Sequence, residues 1–159
     1  MSEYARLGFP VPGALAAFVD EGSQERGGDT MVDLAEAAIN KSCNGSREVE
    51  PGHILVGNID GDASPDAVVD WGKITCSVGL ARPFCGASNC SADVYLSQKF
   101  HQTGRPESLL AVGVSLIPLN NGAEGLKLGG SLSSCQSASK GTACTFIWYW
   151  SGSDLVLLQ

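Results

Sequence analysis

The sequence predicts an α+β fold in which one N-terminal amphipathic helix packs on a mostly antiparallel sheet of about seven short strands, stapled by disulfides. Three observations support this prediction: one segment with helical spacing, many short strand-like runs after residue 50, and six cysteines among 159 residues. Hydrophobic residues make up 43% of the chain and charged residues 17%. This composition supplies a core and excludes a globally disordered chain.

The N-terminal segment 1–28 mixes Pro, Gly and charged residues without a sustained period, so we predict an arm or linker there. The predicted domain then spans residues 29–159. Its helix covers about residues 29–42, and Cys43-Asn44-Gly45 supplies a stop signal. The apolar positions with helical spacing are Met31, Leu34, Ala35 and Ala38.

The segments after residue 50 favour strands, because short β-branched and aromatic runs alternate with turn residues. Turn signals such as Asn121-Gly122 and Ser151-Gly152 separate the last runs. We predict strands at residues 53–56, 67–71, 74–76, 92–96, 109–117, 126–128, 143–150 and 154–158.

The cysteines are even in number and closely spaced, which is typical of a disulfide framework in an oxidising compartment. Short spacings favour the pairs Cys85–Cys90 and Cys135–Cys144, which leaves Cys43 with Cys76. The alternative is a zinc ribbon built from the four cysteines of the two local pairs, although their spacings fit zinc knuckles poorly. The framework predicts a periplasmic or secreted protein whose native signal peptide has been removed.

The charge is acidic and unevenly distributed. The chain has a formal net charge of −7, and residues 1–70 hold 13 acidic and 4 basic side chains. No basic face is available for nucleic acid, and no apolar run is long enough for membrane insertion. The acidic half predicts a surface complementary to a basic protein partner.

An acidic loop carries the clearest chemical signal. Calcium prefers six to eight oxygen ligands within a few residues. The candidate ligands are Asn58, Asp60, Asp62, the carbonyl of Ser64, and Asp66. An EF-hand is excluded, because Pro65 and Trp71 occupy the positions of its Gly and Glu. A plain solvated turn is the alternative, since these residue types also form turns for backbone reasons.

The loop resembles the calcium loops of FG-GAP and VCBS repeats, in which D-x-[DN]-x-D-G-x-x-D lies between two strands. Asn58 stands at the first ligand position, and Ala63 stands at the position of the family's glycine. The resemblance implies calcium bound by Asn58 and the three aspartates. More weakly, the acidic loop with the segments 84–90 and 144–148 is similar to small exported bacterial proteins of unassigned function, which implies a compartment.

An aromatic run near the C-terminus places Phe146, Trp148 and Trp150 on one face of a strand. Such a row stacks on a ligand or partner, or belongs to the core.

No motif for nucleophilic or nucleotide chemistry is present, so we predict an exported binding module of unknown partner, of the inhibitor or immunity type. The alternative is a small extracellular hydrolase that uses Asp60, Asp62 or Asp66, alone or through a metal.

Overall fold

The computed structural model describes residues 29–130 and 144–158. The predicted arm, residues 1–28, lies outside the described residues. The described residues from Met31 onward belong to one compact unit. Two helices lie in the described residues, α1 (Met31–Ser42) and α2 (Ser97–Thr103). Neither has the length and apolar composition needed to cross a bilayer.

Helix α1 forms where the helical spacing predicts it, two residues later than expected. Met31, Ala35 and Ile39 are its buried positions, one turn apart, and they form its core-facing stripe. The chain then leaves the helix through Asn44 and Gly45, which have φ angles of 51° and 82°. The predicted stop signal is therefore confirmed, because both residue types tolerate this left-handed backbone.

Ten strands follow in residues 29–130 and 144–158, and all of their pairings are antiparallel. They are β1 (Arg47–Val49), β2 (Ile54–Gly57), β3 (Asp66–Asp70), β4 (Ile74–Cys76), β5 (Cys90–Tyr95), β6 (Glu107–Ala111), β7 (Val114–Pro118), β8 (Glu124–Gly129), β9 (Thr145–Trp150) and β10 (Leu155–Leu157). Strands β1 and β4 form a two-stranded ribbon. The other eight form two four-stranded sheets with the orders β2-β3-β5-β6 and β10-β9-β8-β7.

The sheet β2-β3-β5-β6 is the middle layer. Helix α1 covers one of its faces, where Ala67, Val69 and Trp71 join the helix residues in a first core cluster. The sheet of β7–β10 covers the other face, where Val68 and Val94 pack with Leu126 and other residues of a second cluster. Strand β3 is central, so all five of its residues are buried.

The α+β class and the antiparallel pairing are confirmed, but three details of the prediction are wrong. The described residues contain two helices rather than one, because α2 follows β5 directly. The strands of the described part of the chain number ten, and they form three sheets rather than one. The run 109–117 is divided between β6 and β7 at Gly113, which has a φ of 91°.

Two of the predicted disulfides are formed. Cys43–Cys76 joins the end of α1 to β4, and Cys85–Cys90 closes a short loop before β5. The third predicted pair includes Cys135, which lies outside the described residues. The Cys85–Cys90 bridge already uses two of the four cysteines that the zinc ribbon would need.

Candidate cation site

The acidic loop connects β2 to β3 at one end of the middle sheet. Gly57, the last residue of β2, pairs with Asp66, the first residue of β3. The intervening residues 58–65 must therefore turn back within a short distance. Asp60, Asp62 and Asp66 converge inside this turn, and they can offer one carboxylate oxygen each with all three oxygens within 4.8 Å of one another.

Asp66 is the fixed point of the loop, because it is fully buried and accepts three backbone hydrogen bonds. Its Oδ2 accepts from the amides of Ile59 and Asp60, at 2.7 and 3.0 Å. Its Oδ1 accepts from the amide of Ser97 at 2.9 Å. One carboxylate thus holds both the start of the loop and the start of α2.

The carboxylates of Asp60 and Asp62 meet at the hydroxyl of Ser97. Ser97 Oγ lies 3.1 Å from Asp60 Oδ2 and in a shorter contact with Asp62 Oδ2. A hydroxyl has only one hydrogen to donate, so it can serve only one of these two acceptors. If the hydroxyl donates to Asp62, Asp60 Oδ2 keeps the amide of Gln98 as its donor, at 3.1 Å, and the two carboxylates still lie side by side.

The protonation of the pair follows from this crowding. Burial, partly offset by the amide of Gln98 and reinforced by the carboxylate of Asp62, raises the pKa of Asp60 to about 6. Burial acts the same way on Asp62, but hydrogen bonds from Ser97 and Asp60 outweigh it and lower the pKa of Asp62. The two carboxylates therefore divide into Asp60, which keeps its proton up to about pH 6, and Asp62, which ionises at a lower pH.

Asn58 stands at the entrance of the loop. Its amide donates to Oε1 of Glu124 at 3.0 Å, and its carbonyl oxygen accepts from the amide of Glu124 at 2.8 Å. Its side-chain oxygen Oδ1 is buried and has no hydrogen-bond partner within the described part of the chain. Such an orphaned acceptor is costly without a donor or a cation beside it.

The structure therefore brings the three predicted aspartates together. Ser64 is exposed, and its amide donates to Asp62 Oδ1 at 2.9 Å, which bends the loop at this point. Gly61 has a φ of 78°, so the left-handed residue of the turn is here. Ala63 stands at the family's glycine position. Its φ is negative, since among the described non-glycine residues only Asn44 has a positive φ.

Two participating residues escaped the sequence interpretation. Ser97 and Gln98 belong to α2, and they contact the loop from more than 30 positions away. Gln98 donates twice, from its amide to Asp60 Oδ2 at 3.1 Å and from Nε2 to the carbonyl oxygen of Asp60 at 3.2 Å. A serine directly after a strand is a weak helix-start signal, and nothing in it points to the loop.

The aromatic row lies on β9, away from the loop in the sequence. Trp148 and Trp150 pack against the second core cluster and are half-buried, and Phe146 is half-buried as well. The pairing of β9 with β8 places Trp148 opposite Leu126 and Phe146 opposite Leu128.

No family model, characterised protein or solved structure matches this chain. The cleft beside Cys90 and the cleft beside Tyr149 include no residue of the acidic loop. The hydrolase alternative stays a prediction.

Proposed function

We propose that the loop 58–66 binds a single calcium ion, and that the protein is an exported binding module whose loop is fixed by this ion. The observation that carries the proposal is the convergence of Asp60, Asp62 and Asp66, whose carboxylate oxygens lie within 4.8 Å of one another, in a loop that also holds the buried, unpartnered Oδ1 of Asn58. A divalent cation would cancel the repulsion between the carboxylates and give Asn58 Oδ1 a partner.

The donor set suits a hard cation. Carboxylate, amide and carbonyl oxygens are the ligands that calcium prefers, and no sulfur or imidazole belongs to the triad. The buried and unpartnered Oδ1 of Asn58 supports a fourth ligand from the loop. The resemblance to FG-GAP and VCBS calcium loops assigns the same four side chains.

The compartment supports the same assignment. Two disulfides are formed, and such bridges persist in the periplasm or outside the cell rather than in the cytosol. Extracellular calcium modules tolerate weak binding, in the range of about 10⁻⁴ to 10⁻³ M, because the ion is abundant there. We therefore expect a low-affinity structural site.

The partner would be a basic protein. The first 70 residues hold nine more acidic than basic side chains, and this imbalance favours a positively charged surface. Calcium would neutralise part of the loop but leave most of this charge in place.

The experiment is a thermal melt of the full chain with calcium or with chelator. At a free calcium concentration of about a hundred times Kd, the fold should gain roughly 2.7 kcal/mol, so the melting temperature should rise. Asp62→Ala should remove this response. Glu48→Ala deletes the same charge from an exposed strand residue and should leave it unchanged.

If the melting temperature is the same in millimolar calcium and in chelator, the ion site is refuted. Asn58→Asp tests the fourth ligand separately, because the added charge should tighten calcium binding in a direct titration. Weaker binding in Asn58→Asp would remove Asn58 from the ligand set.

A further inference from the structure

The two disulfides of the described chain differ in their surroundings. Cys43 and Cys76 are buried in the first core cluster, with exposed fractions of 0% and 3%. Cys85 and Cys90 are only partly buried, and Cys90 lines an open cleft of about 340 Å³. The second bridge is therefore the more accessible of the two to a thiol from solvent.

The cleft places a fixed cation beside the accessible sulfur. The guanidinium of Arg82 donates to the carbonyl oxygen of Gly72 at 2.9 Å and lies 3.7 Å from Sγ of Cys90. An adjacent arginine favours the thiolate form of a cysteine. The other charged residues that line the cleft are Lys73, Glu50 and Asp70.

The partner sulfur has a different environment. Sγ of Cys85 lies 3.7 Å from the carbonyl oxygen of Trp71. A carbonyl oxygen stabilises a neutral S–H group and disfavours a thiolate. The two sulfurs are therefore unequal, with Cys90 suited to carry the negative charge and Cys85 suited to carry a proton.

Gly72 keeps the space in front of Cys90 open. A side-chain carbon at this position would lie 3.6 Å from Sγ of Cys90 and 3.1 Å from Oδ1 of Asp70. The absence of a side chain leaves this flank of the sulfur uncovered. The exposed Val112 lines the same cleft and gives it an apolar rim.

We propose that Cys85–Cys90 is a thiol–disulfide exchange site, in which Cys90 reacts with dithiols that enter the cleft and Arg82 stabilises the Cys90 thiolate. This inference is independent of the calcium loop.

The exchange has two steps. A thiolate of the dithiol attacks Sγ of Cys90, the Cys85–Cys90 bond breaks, and Cys85 leaves and takes a proton from water. The second thiol of the dithiol loses a proton to water and attacks the first sulfur of the dithiol, which is bonded to Cys90 in the mixed disulfide. Cys90 then leaves as a thiolate beside Arg82. The dithiol is oxidised to a cyclic disulfide, and the protein disulfide is reduced by the same two electrons.

The test uses the folded, oxidised full chain and dithiothreitol as the probe. Aliquots are alkylated at intervals, and the labelled cysteines are identified by peptide mapping, while circular dichroism monitors the fold. We expect Cys85 and Cys90 to be labelled at least about tenfold faster than Cys43 and Cys76, with the fold unchanged. Equal rates for the two bridges, or labelling only after unfolding, would overturn the proposal.

The role of Arg82 needs a readout that a structural role would not change. In Cys85→Ser, the alkylation rate of Cys90 is followed against pH, alone and with Arg82→Gln or Arg82→Lys. Arg82→Gln should move the profile to higher pH and slow alkylation at neutral pH about three- to tenfold, and Arg82→Lys should partly restore it. Lys127→Gln removes an exposed cation of β8 and is the control. An unchanged profile in Arg82→Gln would remove Arg82 from the proposal.

Discussion

The amide of Ser97 donates a hydrogen bond to Oδ1 of Asp66 across 31 positions of sequence, at a distance of 2.9 Å. Ser97 is the first residue of α2, and Asp66 is the first residue of β3. The first amides of a helix have no acceptor within the helix, and Oδ1 of Asp66 accepts from one of them. Oδ2 of the same carboxylate accepts from the loop amides of Ile59 and Asp60. The position of α2 and the shape of the acidic loop depend on the same side chain.

Asp66→Asn should consequently be destabilising even in chelator. An asparagine has only one side-chain acceptor oxygen, so at least one of the three buried amides would face an N–H group. We expect a loss of about 3 kcal/mol in the free energy of unfolding, measured by urea denaturation.

Asp62→Asn is the matched control, because Asp62 is only partly buried and should lose less than about 1 kcal/mol in chelator. Equal losses in Asp62→Asn and Asp66→Asn would show that Asp66 does not have the organising role described above.

The raised pKa of Asp60 predicts a pH dependence of stability in chelator. In the unfolded chain this carboxyl group has a pKa near 3.8, and in the folded protein about 6. The folded state therefore binds the proton more tightly. The contribution of Asp60 to the free energy of unfolding should be fully present below pH 4, and it should be lost as the pH rises through about 6.

The lowered pKa of Asp62 acts below pH 4, so it does not mask this slope. The measurement is the free energy of unfolding between pH 4 and 7, for the unmodified protein and for Asp60→Asn. The free energy of unfolding of the unmodified protein should fall more steeply with pH than that of Asp60→Asn. Two parallel curves would contradict the assignment to Asp60.

Gly57 predicts a steric effect next to the loop. A side-chain carbon here would overlap Oε1 of Glu124 and lie 2.7 Å from Cδ1 of Leu116. Gly57→Ala should displace the Glu124 carboxylate from the amide of Asn58 and cost about 1–2 kcal/mol in urea denaturation. Gly86→Ala is the control, because its nearest neighbour is 3.9 Å away. A Gly57→Ala protein as stable as the control would refute the clash.

The disulfides predict unequal stabilisation. In the chain-entropy model the Cys43–Cys76 bridge, with a separation of 33, stabilises by about 4 kcal/mol, and the Cys85–Cys90 bridge, with a separation of 5, by about 2 kcal/mol. The two double Cys→Ala variants should differ accordingly in urea denaturation. The opposite ranking would indicate that native contacts, rather than loop closure, dominate.

Local patterns predicted the elements whose causes are local. The stripe of α1 and its exit at Asn44 and Gly45 are present in the sequence itself. The spacing of the three aspartates likewise predicted their convergence, because β2 and β3 are adjacent strands that must reverse within the loop.

The missed elements depend on distant partners or on one residue. The sequence of α2 has no apolar stripe, and its first turn is held by Asp60 and Asp66, which no local pattern reveals. The break between β6 and β7 lies at Gly113, which has a left-handed backbone and stands within an otherwise apolar run that predicted one long strand. The short β1 exists because it pairs with β4.

The bridge between Cys43 and Cys76 also determines whether a proteolytic cut separates the chain into two fragments. It encloses residues 44–75, and that interval contains β1, β2, the acidic loop and β3. A single cut at the exposed Ser64 or Pro65 would leave both fragments covalently joined. The nicked chain would migrate as one species on a gel until it is reduced. As long as the bridge stays oxidised, a cut in the loop would therefore not release either half.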